Sequence, residues 1–483
     1  MARTVSVDTL RAGMKGTVLT PGDTGYDEAR KVWNAEIDRR PAVIAQCTTA
    51  EDVAAAVRFG AEQGLEIAVR GGAHSVSGKS VVDDGLMIDL SKMDAAVVDP
   101  QARRVRCGGG ALLGPVIAAA QEHGLAYPVG AIGHTGVGGL TLGGGMGWLT
   151  RKHGLSIDNL MSAEVVLADG SIVRADENKH ADLFWALRGG GGNFGVVTEF
   201  EFQLHPVGPM VQLAMLFFTL DQGREFLEAV RDISTSLPAE TNIIFGGLNA
   251  PPEPFVPQEH HFKPGWMVAI VGFGSEAEQA GVVARMRDAV TPLFEMVTPI
   301  PYAALQTMLD EANAWGFYDY EKGCSIPELS DGVIDVLVEA MPKKASPLSA
   351  TLVYRLDGAY CDVAEDATAY SGTRTPQYGV FTFATCPTLD LLEVDRAWVR
   401  GMIDALKPYS LESTYVNAVH ELDDADVRTL YGNAKFDRLM QIKQKYDPNN
   451  LFRRNDANFN LGSAIPGQRT IDITSPESVR TGD

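Results

Sequence analysis

Cysteine is scarce in this sequence, and the few cysteines present have no spacing typical of a scaffold. The 483 residues contain five of them, at Cys47, Cys107, Cys324, Cys361 and Cys386. Because the number is odd and no Cys-x-x-Cys pair occurs, the pattern predicts neither a disulfide framework nor a zinc site. The adjacent His260 and His261 lie in a proline-bounded loop, where neighbouring side chains point apart. We therefore expect no metal site.

Positive charge is also in short supply. Lysine and arginine number 41 against 62 acidic residues, which gives a formal net charge of −21. Nucleic acids and anionic membranes require a basic surface, so neither is an expected partner. No apolar run approaches the length of a membrane span, and residues 1–8 lack the hydrophobic core of a secretion signal. These absences predict a cytoplasmic enzyme that acts on a small molecule, and they do not indicate an oligomeric state.

Glycine, in contrast, is concentrated at two places. The segment Arg70-Gly71-Gly72-Ala73-His74 follows the apolar run 65–69, which predicts a strand that ends in a glycine turn carrying an imidazole. A lone histidine at such a turn is more often structural than reactive. The second cluster, residues 133–148, favours a binding role for the first.

The second cluster is too rich in glycine for an ordinary helix or strand. We interpret it as a loop whose backbone N–H groups cradle phosphate oxygens. A flexible linker is the alternative, but the apolar residues within the cluster need burial, which a linker would not provide. A third glycine segment, residues 190–195, fits the pattern G-x-G-x-x-G, yet a helical stretch precedes it and a strand follows it. A nicotinamide-binding Rossmann unit requires the opposite order.

Five ordered segments together resemble the FAD-linked oxidases of the vanillyl-alcohol oxidase superfamily, and more narrowly the berberine-bridge-enzyme-like group. They are residues 70–74, 136–147, 182–195, 415–417 and 446–452. The resemblance implies that His74 is bonded to the 8α carbon of the flavin. Many relatives have a second link through a cysteine, but Ile132 stands at that position here, so we expect a single link.

The resemblance also implies a fold and a set of cofactor contacts. The fold class is α+β, with a two-part FAD-binding domain, residues 1–207 and 414–483, and an inserted antiparallel-sheet substrate domain covered by helices, residues 208–413. The tail after Ser463 is expected to be loosely ordered. Besides His74, the expected FAD contacts are Arg70, Gly71, Gly72, Ala73, Ser75, Gly78, Thr135, Gly136, Gly138, Gly139, Gly143, Gly144, Gly147, Val197 and Asn417.

Local signals predict individual elements. Thr49 can cap a helix that runs from Ala50 to about Gln63 and ends at Gly64. Asp169-Gly170 predicts a hairpin turn, and the stretch 276–289 is expected to be helical.

The catalytic residues are less strongly marked. Strand periodicity in residues 351–357 gives one unusually polar face, formed by Thr351, Val353, Arg355 and Asp357. Some relatives carry a glutamate base near this place, where Arg355 stands, and arginine cannot act as a base. We therefore predict that Arg355 lowers the pKa of Tyr415, which the family places beside the flavin, and that Asp357 or His134 is the reserve.

The aromatic stretch 315–322 is interpreted as a cavity-lining loop, although such a density of aromatic residues fits an ordinary core as well. Its predicted substrate contacts are Tyr318, Tyr320 and Lys322.

The expected reaction removes a hydride from a C–H bond next to oxygen or nitrogen of a small organic substrate. Dioxygen is the expected acceptor, giving hydrogen peroxide, because Thr135 is a small residue at the position that admits oxygen in relatives. Two alternatives stay open: a dehydrogenase of the same fold with another acceptor, and a flavin- or metabolite-binding protein without turnover. The substrate, whether sugar, alcohol, cyclic amine or polyketide-like metabolite, is not specified by the sequence.

Overall fold

A small mixed sheet opens the chain. The computed structural model describes residues 6–419, 422 and 424–459, so the tail after Ser463 lies outside the described residues. The sheet has the order β1-β2-β4-β3, with β1 antiparallel and the other three parallel. Its strands are β1 (Thr17–Leu19), β2 (Val43–Gln46), β3 (Ile67–Arg70) and β4 (Leu86–Asp89), and its helices are α1 (Val7–Gly13), α2 (Tyr26–Ala29) and α3 (Ala50–Gln63).

The helix α3 begins and ends where the sequence predicts. The Thr49 side chain accepts a hydrogen bond from the backbone N–H of Asp52, at 3.2 Å, and Gly64 closes the helix with a φ of 66°. Because α3 carries the chain back to the end of the sheet where β2 begins, β3 runs in the same direction as β4 and ends at Arg70. The glycine turn with His74 therefore leaves the carboxyl end of a parallel strand.

A five-stranded antiparallel sheet follows, in the order β5-β6-β10-β8-β9. Its strands are β5 (Ala96–Asp99), β6 (Arg104–Gly108), β8 (Leu160–Val166), β9 (Ile172–Asp176) and β10 (Val196–Gln203), while β7 (Leu125–Ala126) pairs separately with β11 (His205–Pro206). The hairpin predicted at Asp169-Gly170 is confirmed, because Val166 pairs with Ile172. The helices here are α4 (Leu113–Gln121), α5 (Val137–Gly143), α6 (Thr150–His153) and α7 (Ala181–Leu187).

The helix α5 corrects the prediction for residues 133–148, which are not a loop throughout. Its glycines let it pack closely: a Cβ at Gly138 would lie 3.1 Å from the Gly109 carbonyl oxygen. The backbone entropy cost of these glycines is offset by this close packing and by burial of Val137.

The third sheet has seven antiparallel strands in the order β15-β12-β14-β13-β17-β18-β16. They are β12 (Met210–Thr219), β13 (Thr241–Asn249), β14 (Pro264–Gly272), β15 (Phe294–Pro301), β16 (Tyr318–Ile326), β17 (Ala350–Leu356) and β18 (Gln377–Cys386). The accompanying helices are α8 (Gly223–Ser234), α9 (Glu276–Ala289), α10 (Tyr302–Thr307), α11 (Asp331–Ala340) and α12 (Leu389–Leu406). The predicted antiparallel sheet covered by helices is confirmed. The aromatic stretch after Phe317 is a strand and not a loop, since Tyr318–Ile326 pairs with β18 along its whole length.

Alternation along these strands divides the core. Leu216 and Phe218 of β12 pack with helices α8, α9, α11 and α12 in one cluster, whereas Met215 and Phe217 pack in the cluster that includes the five-stranded sheet. Both faces of the seven-stranded sheet are therefore covered, and one of them meets the flavin-binding part predicted from the sequence.

The chain then returns to that part through α13 (Asp424–Tyr446), which is kinked at Gly432. The fully buried Lys443 ammonium donates to Asp447 Oδ2, 2.7 Å, and to the carbonyl oxygens of Asn193 and Phe452, both 2.8 Å. This ion pair joins two segments that carry the family resemblance. They are residues 446–452 and 182–195.

All five cysteines are free; four are buried and Cys361 is half-buried. Burial raises the pKa of each thiol, to about 11 for Cys324, Cys361 and Cys386 and further for Cys47 and Cys107. Across the described part of the chain, none of the helices combines the length and apolarity needed to cross a bilayer.

Candidate active site

A cavity of about 430 Å³ lies where the seven-stranded sheet meets the two smaller sheets. From the smaller sheets it is lined by residues 71–76 after β3, by the start of α5, by the glycines of segment 190–195 and by residues 454–457. From the seven-stranded sheet it is lined by side chains of β16, β17 and β18. The cavity thus receives residues from both parts of the fold.

His74 lies in the wall of this cavity and is held by two neighbours. Its Nε2 is 3.0 Å from Nδ1 of His134, whose own Nε2 is 3.4 Å from the Asp310 carbonyl oxygen. The Trp33 ring stacks on the imidazole, with ring centroids 4.3 Å apart. Burial lowers the pKa of His74 to about 3, so the ring is neutral at physiological pH. His134, a reserve base in the sequence prediction, does not line the cavity but contacts His74.

Glycine backbone forms the cavity wall around His74. A Cβ at Gly72 would lie 2.3 Å from the Gly136 nitrogen, so the two predicted glycine turns touch backbone to backbone. The predicted FAD contacts that line the cavity are His74, Gly71, Gly72, Ala73, Ser75, Thr135, Gly136, Gly138, Gly139, Val197 and Asn417.

Five predicted contacts lie away from the cavity and are corrected. Arg70 is turned to the Ala29 carbonyl and to Asp89. The glycines at 78, 143, 144 and 147 instead allow close protein packing, against Ile37, Asn417, Tyr370 with Tyr415, and the Val129 carbonyl oxygen.

Residues that the sequence reasoning did not assign also line the cavity. Gly190, Gly191, Gly192 and Gly195 do so although the segment is not a Rossmann turn. Asn455 and Asp456 join them from the C-terminal part, where Ser77 donates to Asp456 at 2.6 Å. The run of glycines between a helix and a strand was the sequence signal that could have identified these four glycines as lining residues.

The composition of this wall fits FAD. Glycines from several segments line the cavity, and Lys79 and Arg454 add positive charge to the same lining. Glycine backbone N–H groups with nearby cations suit a pyrophosphate. The apolar residues Ile67, Val69 and Leu90 also line the wall and suit a ring system.

Strand β17 presents the opposite face from the one predicted. Leu352 and Tyr354 line the cavity, whereas Val353 packs with the helices on the far side. Arg355 donates to Asp357 at 2.7 Å and lies over the Tyr378 ring. Asp357 also pairs with Arg151 of α6. Arg355 and Asp357 therefore join parts of the fold and do not reach the cavity.

Tyr415 lines the cavity, but its surroundings contradict the predicted pairing with Arg355. Its hydroxyl oxygen accepts from the Gly145 N–H at 3.2 Å and from Asn417 Nδ2 at 2.9 Å. Burial raises the pKa of Tyr415, and the charge of Glu321 raises it further. A phenolate is thus disfavoured, and the proton stays on the hydroxyl.

Strand β16 brings two carboxyl groups that the sequence reasoning missed. Asp319 and Glu321 both line the cavity. Of the predicted substrate residues, Tyr320 also belongs to the cavity lining, whereas Tyr318 and Lys322 lie outside it. The Tyr320 ring packs with the helix-side core, and its hydroxyl accepts from Arg400 at 2.9 Å. The period-two alternation in residues 318–322 could have separated these acids from their neighbours.

The chain matches known proteins along most of its length. Family models described as FAD binding domain and as berberine and berberine like match residues 41–176 and 414–457. An FAD-linked oxidoreductase from Dictyostelium discoideum is 30% identical over 444 residues, covering 92% of this chain and 94% of that protein. The chain belongs to the berberine-bridge-enzyme-like FAD-linked oxidoreductases. This family is part of the vanillyl-alcohol oxidase superfamily, and the resemblance stated from the sequence is confirmed.

Solved structures of this family share the fold. 6-hydroxy-D-nicotine oxidase from Arthrobacter nicotinovorans superimposes with a TM-score of 0.80 at 25% identity, covering 92% of this chain and 98% of that one. Glucooligosaccharide oxidase from Acremonium strictum, with 6-S-cysteinyl, 8α-N1-histidyl FAD, gives 0.80 at 26% identity, covering 94% and 99%. These matches confirm the predicted two-part FAD fold with an inserted antiparallel sheet.

Proposed function

We propose that the protein is an FAD-dependent oxidase that holds its flavin through a covalent bond to His74. The observation that carries the proposal is the neutral His74 imidazole in the wall of a glycine-lined cavity. When bound, FAD supplies a two-electron acceptor for the hydride of a C–H bond next to oxygen or nitrogen.

The hydrogen bonds of His74 favour one nitrogen for this bond. With one proton on each ring, the Asp310 carbonyl requires the proton of His134 on Nε2. Nδ1 of His134 then accepts from Nε2 of His74, and the lone pair of His74 lies on Nδ1. This nitrogen corresponds to the N1-histidyl linkage of the glucooligosaccharide oxidase. With the flavin attached through Nδ1, His134 would hold the imidazole by accepting the Nε2–H of His74.

Tyr415 and Glu321 have different roles in the proposed reaction. Tyr415 keeps its proton and donates a hydrogen bond toward the cavity, since both of its lone pairs are used within the protein. The Glu321 carboxylate lies close enough to raise the pKa of both Tyr354 and Tyr415. We assign to Glu321 the proton that leaves the substrate O–H or N–H.

The covalent bond is tested by acid denaturation of the wild type and two variants. Wild-type and His153→Ala protein should keep the yellow chromophore on the polypeptide, whereas His74→Ala should release free FAD. His153 is the matched control because burial lowers its pKa to about 3 as well. It stacks on another imidazole, His205, with centroids 4.0 Å apart, and does not line the cavity.

Intact mass spectrometry decides the same point independently. Wild-type protein without the mass of a flavin would overturn the covalent bond. Because Ile132 takes the place of the second attachment residue and lines the cavity, proteolytic mapping should find flavin on one peptide. Flavin on two peptides would contradict the single link.

Oxygen as the acceptor is supported by the small Thr135 side chain in the cavity wall. An oxidase should form one hydrogen peroxide for each substrate consumed in air, and Thr135→Leu should slow reoxidation of the reduced protein by oxygen. Anaerobic bleaching by substrate without peroxide in air would favour a dehydrogenase. Failure of every substrate in a broad screen to bleach the flavin would favour the binding protein.

A further inference from the structure

The seven-stranded sheet faces the cavity with a surface that we call the sheet wall. It consists of Asp319 and Glu321 of β16, Leu352 and Tyr354 of β17, and Phe381, Phe383 and Thr385 of β18. Aromatic and aliphatic side chains dominate it, and its two charged groups are both acidic. Among the described residues that line the cavity, the cations Lys79 and Arg454 belong to the flavin-binding part.

Asp319 has an unsatisfied oxygen in this wall. The residue is 3% exposed. Its Oδ1 accepts a hydrogen bond from the Thr385 hydroxyl at 2.8 Å, whereas Oδ2 has no partner among the described residues. Protonation does not give Oδ2 a partner, because a protonated Oδ2 would be a donor without an acceptor. A buried polar atom without a partner costs free energy unless a ligand supplies the missing hydrogen bond.

The position of Asp319 is fixed by the other part of the fold. The fully buried Asn34 accepts from the Asp319 N–H at 3.0 Å and donates to its carbonyl oxygen at 2.8 Å. A third hydrogen bond joins Asn34 to the Val76 carbonyl oxygen at 2.8 Å, just after the His74 turn. The carboxyl group is thus held in place before any ligand arrives, which lowers the entropy cost of binding.

The charges near Asp319 favour a cation over a neutral donor. Glu321 is two residues further on the same face, about 7 Å along the strand. Burial, together with the negative charge of Glu321, raises the pKa of Asp319 to about 7. A positive ligand offsets both effects, since it favours the ionised carboxylate and reduces the repulsion from Glu321.

We propose that the substrate has an apolar, ring-sized body with a protonated nitrogen, and that Asp319 Oδ2 binds this nitrogen. The inference rests on the proposed function, because it names the substrate class of the same cavity. Leu352, Phe381 and Phe383 would receive the apolar body. The ammonium supplies the donor that Oδ2 lacks.

The test is isothermal titration calorimetry of the holoenzyme at pH 8 with benzylammonium chloride and with benzyl alcohol. The two probes share a ring and differ in the charged nitrogen. We expect wild-type protein to bind benzylammonium at least about 10-fold more tightly, because hydrogen bonds to charged groups are the strong ones. Equal affinities, or tighter binding of the alcohol, would overturn the proposal.

Three variants locate the nitrogen. Asp319→Asn should bring the affinities for the two probes to within about 2-fold, whereas Thr385→Val keeps the carboxylate and should keep the preference. Glu321→Gln should keep it as well. A preference that survives Asp319→Asn, or that is lost in Glu321→Gln alone, would overturn the assignment to Asp319. Should Asp319→Asn fail to fold, the wild-type and Glu321→Gln comparisons still decide.

Folding of each variant is checked by circular dichroism and flavin content. Calorimetry does not require turnover, so the proposed function and this inference can fail separately. If the protein prefers benzylammonium but forms no peroxide, the inference about the substrate stands and the proposed oxidase activity is wrong.

Discussion

Tyr415 contributes a donor to the cavity because the protein already uses the lone pairs of its hydroxyl. Gly145 and Asn417 supply the two donors, and burial keeps the phenol neutral by raising its pKa. A neutral phenol can orient a substrate oxygen or nitrogen but cannot remove a proton from it. In the proposed reaction, orientation of the substrate by Tyr415 is therefore separate from proton removal by Glu321.

The first prediction compares Tyr415→Phe with Arg355→Met. Tyr415→Phe should slow anaerobic flavin reduction about 10-fold, the equivalent of roughly 1.4 kcal/mol for one hydrogen bond, with unchanged flavin content. Arg355→Met should leave the reduction rate within about 2-fold, because Arg355 pairs with Asp357 outside the cavity. Stopped-flow absorbance at the flavin band measures both. A large slowing in Arg355→Met would restore the pairing predicted from sequence.

Individual residues were predictable where the chain itself fixes their place. His74 follows a strand and a glycine turn, so its position at the cavity could be inferred without a structure. The faces of β16 and β17 could not, because alternation shows which residues share a face and not which face is toward the ligand. Asp319 and Glu321 were missed for that reason, and Arg355 and Asp357 were chosen instead.

The second prediction concerns the pH dependence introduced by Asp319. Its pKa is raised to about 7 by burial, against about 3.9 in the unfolded chain. Between these values the folded state binds the additional proton, so stability contributed by this group falls as pH rises. The melting temperature of Asp319→Asn minus that of wild type should therefore be higher at pH 8 than at pH 4.5. Equal differences in melting temperature at both pH values would argue against the raised pKa.

At the scale of elements, the buried ion pair at the end of α13 holds the C-terminal return in place. Lys443 and Asp447 are both fully buried, and Asp447 also accepts from the N–H groups of Leu451 and Phe452, each at 2.8 Å. Through the Asn193 carbonyl, the same ammonium reaches the segment that contains the cavity-lining glycines 190–192. One side chain thus links two walls of the site.

The third prediction compares Lys443→Met with Lys445→Met. Lys443→Met leaves a buried carboxylate without its partner and should lower the free energy of unfolding by about 3–5 kcal/mol. Lys445 is the matched control, since its side chain is 59% exposed and pairs with Asp182 at 2.7 Å. Its loss should cost less than about 1 kcal/mol. Urea denaturation followed by circular dichroism gives both values, and equal losses would refute a special role for the buried pair.

At the scale of the whole molecule, the cavity is formed by both parts of the fold, so its ligand contributes to their stability together. The fourth prediction uses His74→Ala protein freed of flavin. Added FAD should raise its melting temperature, by the equivalent of about 2.7 kcal/mol at 100 times the dissociation constant. Riboflavin, which lacks the phosphates, should raise it less because the glycine N–H groups and Lys79 lose their partner. Equal shifts for the two ligands would place the pyrophosphate elsewhere.

The architecture was more predictable than the site. Strong local signals, such as the capped helix α3, the Asp169-Gly170 hairpin and the helix α9, gave elements close to their observed bounds. The helix α5 was missed because glycine disfavours helices in isolation, and only packing against Gly109 and Phe200 reveals why it is tolerated. The domain boundaries stay predictions.

The raised pKa shared by all five thiols bears on how long such an enzyme keeps working. Peroxide attacks cysteine as the thiolate, and the raised pKa of every thiol keeps that form rare at neutral pH. On the proposed function, the oxidant arises inside the same molecule at each turnover. The thiols should therefore react only slowly with the peroxide that the enzyme itself forms, so cysteine oxidation should not limit its working lifetime.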